Sequence, residues 1–332
     1  MSVGALGSFG LKQETTYGTE ATPPTVFHEI KSESIASDNN LIIPRYIGGV
    51  KGNKRVLPGP YTAEGSFELD ATPEGAMGWI LKGMCGSAVS SEVVAGVYSH
   101  IFTPGQSNDM PSFTIQVDAE AGCRNWLGCQ FSSLDITMSP DELIAMAVGV
   151  IAQYDKEAIA ATPTYSTLDP FTAYDVAVTL NGVSNSTLEN LVLNFTNDVE
   201  GVKTLNNQRW IGRTSAKNLN VAGTFSLEFN DMDMLRRFWG SSVATQPLKC
   251  FDDLTLQIDI TSTCQQIGST GHYYTLSIAI PSFYIATGAP NLTGADDRIM
   301  QEIAFVTKHD AVTGKSISFT LKNAQASYPD PA

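Results

Sequence analysis

This 332-residue chain has four histidines, five cysteines and no apolar run near the roughly 18 residues a membrane helix requires. His28, His100, His272 and His309 form no HExxH and no spaced metal pair. Cys123 and Cys129 stand too far apart for a common zinc knuckle and read better as packed thiols. A GxSxG elbow, a GxxxxGKS/T loop and a GxGxxG fingerprint are all missing. These absences leave no catalytic constellation, no cofactor site and no metal site. Basic charge is scarce as well: Lys plus Arg is 20 against 34 Asp plus Glu, a net charge of −14. Binders of nucleic acid draw affinity from Lys and Arg, so this balance argues against DNA or RNA binding. Charged residues are 16% of the chain, below the roughly 25% of ordinary soluble domains. Either partners cover much of the surface, or the surface-to-volume ratio is small. The start carries no charged region followed by an apolar one. The odd cysteine count then reads as reduced thiols in a cytosol-like compartment, and the sequons at Asn185, Asn194 and Asn291 as chance matches.

What the chain does contain, it contains twice. Gly65-Ser66-Phe67-Glu68-Leu69 returns as Gly223-Thr224-Phe225-Ser226-Leu227, an offset of 158 residues (223 − 65). Thr114-Ile115-Gln116-Val117-Asp118 returns as Thr255-Leu256-Gln257-Ile258-Asp259, with Cys123 and Cys264 following at the same interval, an offset of 141 (255 − 114). The order is kept and the spacing edited, which points to two copies of one domain.

Strands dominate the pattern. Thr62–Asp70 alternates Ala63, Gly65, Phe67 and Leu69 against Thr62, Glu64, Ser66, Glu68 and Asp70, and Ala222–Phe229 alternates likewise. Further strands are expected over 112–118, 130–138, 144–152, 175–180, 188–195, 254–260, 273–280, 300–307 and 316–321. One short helix follows each G-x-F-x-L strand. The first is announced by Thr72-Pro73-Glu74 and stopped by Gly86; the second is capped by Asn230 and stopped by Gly240. The fold class is therefore mainly β: two similar β-sandwich or barrel domains, each with one flanking helix. Residues 1–29 read as an extended glycine-rich arm, 30–154 as the first domain and 155–170 as a linker. Residues 171–322 read as the second domain and 323–332 as a frayed tail.

Two local features carry weight. The basic loop Gly48–Arg55 lacks the spacing of any phosphate motif and reads as a mobile hairpin. Glu64, Glu68 and Asp70 share one strand face without an interleaved base, and Glu228 matches Asp70 in the repeat (228 − 70 = 158). That face is either simply solvated or an acidic lining.

Phe9-Gly10-Leu11-Lys12-Gln13-Glu14-Thr15-Thr16-Tyr17-Gly18-Thr19 resembles the opening of the tail tube proteins of long-tailed, non-contractile bacteriophages. The G-x-F-x-L strand at Gly65–Leu69 and the short helix with Trp79 extend that resemblance through the first copy. The family implies a β-sandwich or barrel with a flanking helix, in a virion structural subunit assembled in the host cytoplasm. Rings of such subunits stack into a hollow tube with tape measure and terminator or tip proteins, and genomic DNA passes through without specific binding. It casts Glu14, Thr15, Thr16, Tyr17 and Gly18 as an assembly arm and Glu64, Glu68, Asp70 and Glu228 as lumen-lining acids. Two domains per chain let three chains make a six-domain ring. The competing reading is a two-domain adhesin or carbohydrate-binding module using Trp126, Trp210, Tyr273 and Tyr274.

Overall fold

The computed structural model describes residues 4–47, 51–105, 110–205, 208–290 and 298–330. The first half of the chain runs β1 (Ser8–Gln13), β2 (Val26–Phe27), β3 (Ile30–Glu33), β4 (Ala36–Asp38), β5 (Thr62–Asp70) and α1 (Ala76–Cys85), then β6 (Ala88–Val94), β7 (Val97–Phe102), β8 (Phe113–Asp118), β9 (Cys123–Met138), β10 (Ala145–Ala152) and β11 (Tyr154–Ala158). The second half runs β12 (Val176–Leu180), β13 (Val183–Asn185), β14 (Leu188–Thr196), β15 (Val199–Val202), β16 (Arg213–Ala216), β17 (Asn220–Glu228), α2 (Asp233–Trp239), β18 (Leu254–Gln266), β19 (Tyr273–Thr287), β20 (Met300–Thr307) and β21 (Ser318–Asn323). The fold is mainly β, and its large antiparallel sheet does not close into a barrel.

The pairing order is β1–β8–β9–β10–β5–β3/β4 in the first half and β12–β18–β19–β20–β17–β14 in the second. Irregularities fall at corresponding places. The register slips between Ile30 and Ser32 against β5, and between Leu188 and Asn190 against β17. Ser132 is the extra residue opposite β10, as Ala286 is opposite β20. β8 slips between Phe113 and Ile115 where β18 slips between Leu254 and Leu256. Bulges bend a strand, so β9 and β19 each turn from one sheet into another along their length. The first half of β9 pairs with β8 and β11, its second half with β10 and β14.

Phe67 and Phe225 occupy matching places. Each is essentially fully buried, opposite Val148 and Ile303 respectively. Phe67 packs on Phe9 of β1 with ring centroids 4.7 Å apart, and Phe225 on Phe305 at 5.8 Å. The motif glycine has a physical reason in both halves. A Cβ on Gly65 would lie 2.5 Å from the Ser34 carbonyl oxygen, and one on Gly223 2.6 Å from that of Val192. Neither backbone approach tolerates a side chain.

Several boundaries differ from the sequence expectations. Residues 1–29 are not a free arm: β1 pairs along its whole length with β8, and Phe9 and Leu11 belong to the core. The glycines masked a strand whose few apolar residues are used fully. The stretch 155–170 begins as β11 instead of as linker, paired with β9. The tail is docked as far as Asp330, with Tyr328 buried and Lys82 Nζ donating to the Pro329 carbonyl at 2.7 Å. The halves also share strands' edges, because β14 pairs with β9 and β21 with β7. Helix α1 starts later than Thr72 suggested, behind Gly75 at φ 81°, and α2 starts behind Met232. Cys123 opens β9 while Cys264 lies inside the longer β18, so the two thiols are not counterparts; by strand pairing, Cys123 matches Ser277. The first is buried and the second exposed.

His28 joins the core to α1. Its Nε2 bonds the Asp70 carbonyl at 3.2 Å and its Nδ1 accepts from the Ala76 N–H at 3.4 Å. Burial pushes the imidazole below the ordinary value of 6.5, because the charged form is poorly solvated and protonation removes the Nδ1 acceptor. The unfolded chain therefore binds the proton more tightly. The stability from neutral His28 is complete above pH 6.5 and is lost as pH falls toward the lower folded value. Thermal melts are expected to drop between pH 7 and pH 5, and to drop less in His28→Gln; equal slopes for both proteins would contradict this.

Candidate functional site

One surface gathers the acids singled out in the sequence. The strands β3/β4–β5–β10–β9–β14–β17–β20–β19 form a continuous run of two four-strand sets joined where β9 meets β14. Alternation turns one face of this run to the core and leaves the other outside it. Because paired residues point the same way, register assigns the outer face directly. One row reads Glu68, Ala147, Asp135, Asn194, Ala222 and Val306. The next reads Asp70, Ala145, Thr137, Val192, Thr224 and Ala304. Small or short side chains fill most positions between the acids.

Glu64, Glu68, Asp70 and Glu228 all lie on this face, the first three on β5 and the last at the end of β17. The structure adds Asp38, which pairs with Thr62, Asp135, which pairs with Ala147, and Glu302, which pairs with Ser226. Those three were missed because each is a single acid in a strand whose face is set only by its partner. Among the described residues, the strand cation beside this face is Lys31, in the β3 bulge, 2.5 Å from Asp70. At the corresponding bulge Glu189 pairs with Arg298 at 2.6 Å. Across the junction of the two sets, Asn194 Nδ2 donates to Asp135 Oδ1 at 2.8 Å.

Glu14 through Gly18, which the resemblance casts as an assembly arm, form a hydrogen-bonded turn within the chain. Glu14 is buried, and its carboxylate accepts four hydrogen bonds: from Gly18 N at 2.9 Å, Ser112 Oγ at 2.7 Å, Thr114 Oγ1 at 2.9 Å and Gly128 N at 2.8 Å. Gly18 turns at φ 71°, where a Cβ would strike Gln153. Tyr17 packs on Gly128, and burial pushes its phenol pKa up. Thr15 and Thr16 are exposed on the outside of the turn. The element locks the N-terminal strand to β8 and β9 within one chain. Its partners lie about a hundred residues away in sequence, which is why the string alone reads as an arm.

The aromatic residues of the adhesin reading do not form a platform. Trp126 is fully buried, Tyr274 is buried with its hydroxyl on Glu74, and Trp210 packs against Tyr154 at 5.2 Å. Large exposed apolar groups lie elsewhere: Leu41, Ile42, Ile43, Tyr46, Val56 and Leu57 on the hairpin closed by the Ile42–Leu57 bridge. Gly48, Gly49 and Val50 of the basic loop, and Asn291, lie outside the described residues. Among the described residues there is no cluster that could hold a metal, and no helix is long and apolar enough to cross a membrane.

A bent antiparallel sheet with a small-residue acidic face, an apolar hairpin and a strand run ending in open edges defines a structural β subunit. The chain belongs to the phage tail tube protein family, whose model matches residues 4–307. No curated protein matches it. It is a structural tail tube protein of the virion, in a family that self-assembles with other tail proteins.

The Glu14 lock yields a direct test. Glu14→Ala leaves two hydroxyls and two backbone N–H groups without their acceptor, at about 1–3 kcal/mol for each group left unsatisfied. A loss of about 3 kcal/mol or more in urea unfolding is expected. A change below about 1 kcal/mol would mean that the motif does not hold β1 in place.

Proposed function

We propose that the chain carries two copies of one tube domain, near residues 30–154 and 171–322, and that three chains close a ring of six such units. Stacked rings form the hollow conduit for the genome, assembled in the host cytoplasm and met by tape measure and by terminator or tip proteins. The observation that carries this reading is the β9–β14 junction: two sets of strands with the same pairing order and the same bulges are already joined edge to edge inside one chain. Edges left open in a monomer are a hazard, and ring closure removes them.

The outer face of the strand run lines the channel in this reading. Its acids repel phosphate, and its Ala, Ser, Thr and Gly residues offer little for a base to stack on. DNA then slides without adsorbing. The apolar hairpin supplies contact between rings.

Electron microscopy with mass measurement tests the assembly: hollow stacked rings of three chains are expected, and six-chain rings or isolated monomers would refute the stoichiometry. Glu64→Lys with Glu68→Lys tests the lining. Both residues are exposed, so the fold should survive. Particles carrying the pair should release DNA several-fold more slowly at low salt and recover as salt screens the new charges. Release at the parental rate would put this face elsewhere than the channel.

A further inference from the structure

Lys31, Arg298 and Lys308 border the outer face of the strand run, and a carboxylate holds each of them. Lys31 is on Asp70 at 2.5 Å. Arg298 meets Glu189 with both terminal nitrogens, at 2.6 and 3.2 Å, just ahead of Met300, which pairs with Glu228. Lys308 follows β20, and its N–H donates to the Ser282 carbonyl at 2.9 Å, so the ladder continues one step past Phe283↔Thr307. Alternation then puts Lys308 on the face of Glu302, Ala304 and Val306. Tyr284 shares that face, since it pairs with Val306.

The Lys308 ammonium lies 3.3 and 3.4 Å from the two Asp253 oxygens and 3.2 Å from the Tyr284 hydroxyl. Tyr284 in turn donates to Asp253 Oδ1, and Ser282 Oγ donates to the same oxygen at 3.1 Å. The hydrogen bond from Tyr284, then those from Ser282 and Lys308, hold the Asp253 carboxyl below the usual carboxylate range. Asp253 stands just before β18, a strand outside the run that bears the face, so it brings there a charge that the run itself does not supply. Lys308 and Asp253 are each half-exposed. An ion pair so exposed adds little to stability. Its effect on local charge is larger, because a free ammonium on this face would be a phosphate contact and the pair is neutral.

We propose that Asp253 masks Lys308 from the phosphodiester backbone of passing DNA, and that Glu189 and Asp70 do the same for Arg298 and Lys31. An unmasked cation makes a phosphate contact and releases a counterion, so it adsorbs DNA most strongly at low salt. A phosphate that approaches Lys308 instead meets the Asp253 carboxylate at nearly the same distance, and repulsion offsets attraction. Every subunit of a tube carries the same pair and one DNA molecule passes all of them, so a weak contact in each would add up to slow transit. Asp253 acts through Lys308 and does not itself touch DNA. This rests on the outer face lining the channel, and adds to it the residues that keep its cations from holding DNA.

DNA release from particles carrying Asp253→Asn tests it. The amide keeps a carbonyl acceptor for Tyr284 and Ser282 while it removes the charge. Release several-fold slower than parental is expected at low salt, with recovery at high salt. Lys308→Gln in the same chain should restore the parental rate, and Lys308→Gln alone should match it. Parental release from Asp253→Asn, while Glu64→Lys with Glu68→Lys slows it, would overturn the masking and leave the lining standing. Parental rates from both would overturn both. Slow release that Lys308→Gln does not restore would also overturn the masking, since the defect would then not come from a bare cation. Should Asp253→Asn yield no particles, the Arg298 pair poses the same question. Glu189→Gln should slow release and added Arg298→Gln should restore it; parental release from Glu189→Gln would overturn the proposal.

Discussion

Backbone hydrogen bonding along an edge is indifferent to whether the next strand comes from the same chain, and the rest of this structure depends on that indifference. β14 adds to β9 residue for residue from Ser133 to Met138, joining the two halves of one chain. The bulges at Ser132 and Ala286 let β9 and β19 bend along their length, so that each half keeps one strand face on the core. Gly65 and Gly223 allow the adjoining strand to come close enough for this at the matching carbonyls of Ser34 and Val192. Replacing either glycine would press a Cβ into backbone that has nowhere to move.

The two faces of the strand run divide the physical work. The inner face, with Phe67, Val148, Leu134, Phe225 and Ile303, holds the halves together by apolar burial. The outer face carries mostly short side chains, with Ile151, Met300 and Tyr284 as larger ones, and collects carboxylates from several strands. Helix α1 is buried nearly throughout, even at Lys82, whose ammonium is held by Gln13, the Pro329 carbonyl and Asp330. Helix α2 is mostly half-buried, with Met234 alone buried. The halves therefore share a pairing scheme and not an environment.

The parts of the fold that were legible in sequence follow from periodicity. The strands with clean alternation, such as β5, β10, β14, β17 and β20, could be read because one face of each is core. β1 could not, because its alternation rests on Phe9 and Leu11 alone, too short a signal in a glycine-rich stretch. β3 and β4 could not either: an edge strand of Ser, Ala and Asp buries too little to leave a pattern. Of the acidic face, Glu64, Glu68 and Asp70 were legible as a set on one strand, whereas Asp38, Asp135 and Glu302 join it only through register. The role of Glu14 was illegible for the same reason, since Ser112, Thr114 and Gly128 reach it only in the folded chain.

In the tube proposed above, the open edges of this sheet are completed by another copy of the same chain. Hydrogen exchange compared between free subunits and assembled tubes tests it most directly, because it reads backbone amides one segment at a time. The amides of Ser37 and Asn39, which turn away from β5, should exchange quickly in the subunit and slowly in the tube, while amides of β9 and β14 at the internal junction are protected in both. Unchanged exchange at Ser37 and Asn39 on assembly would contradict the account.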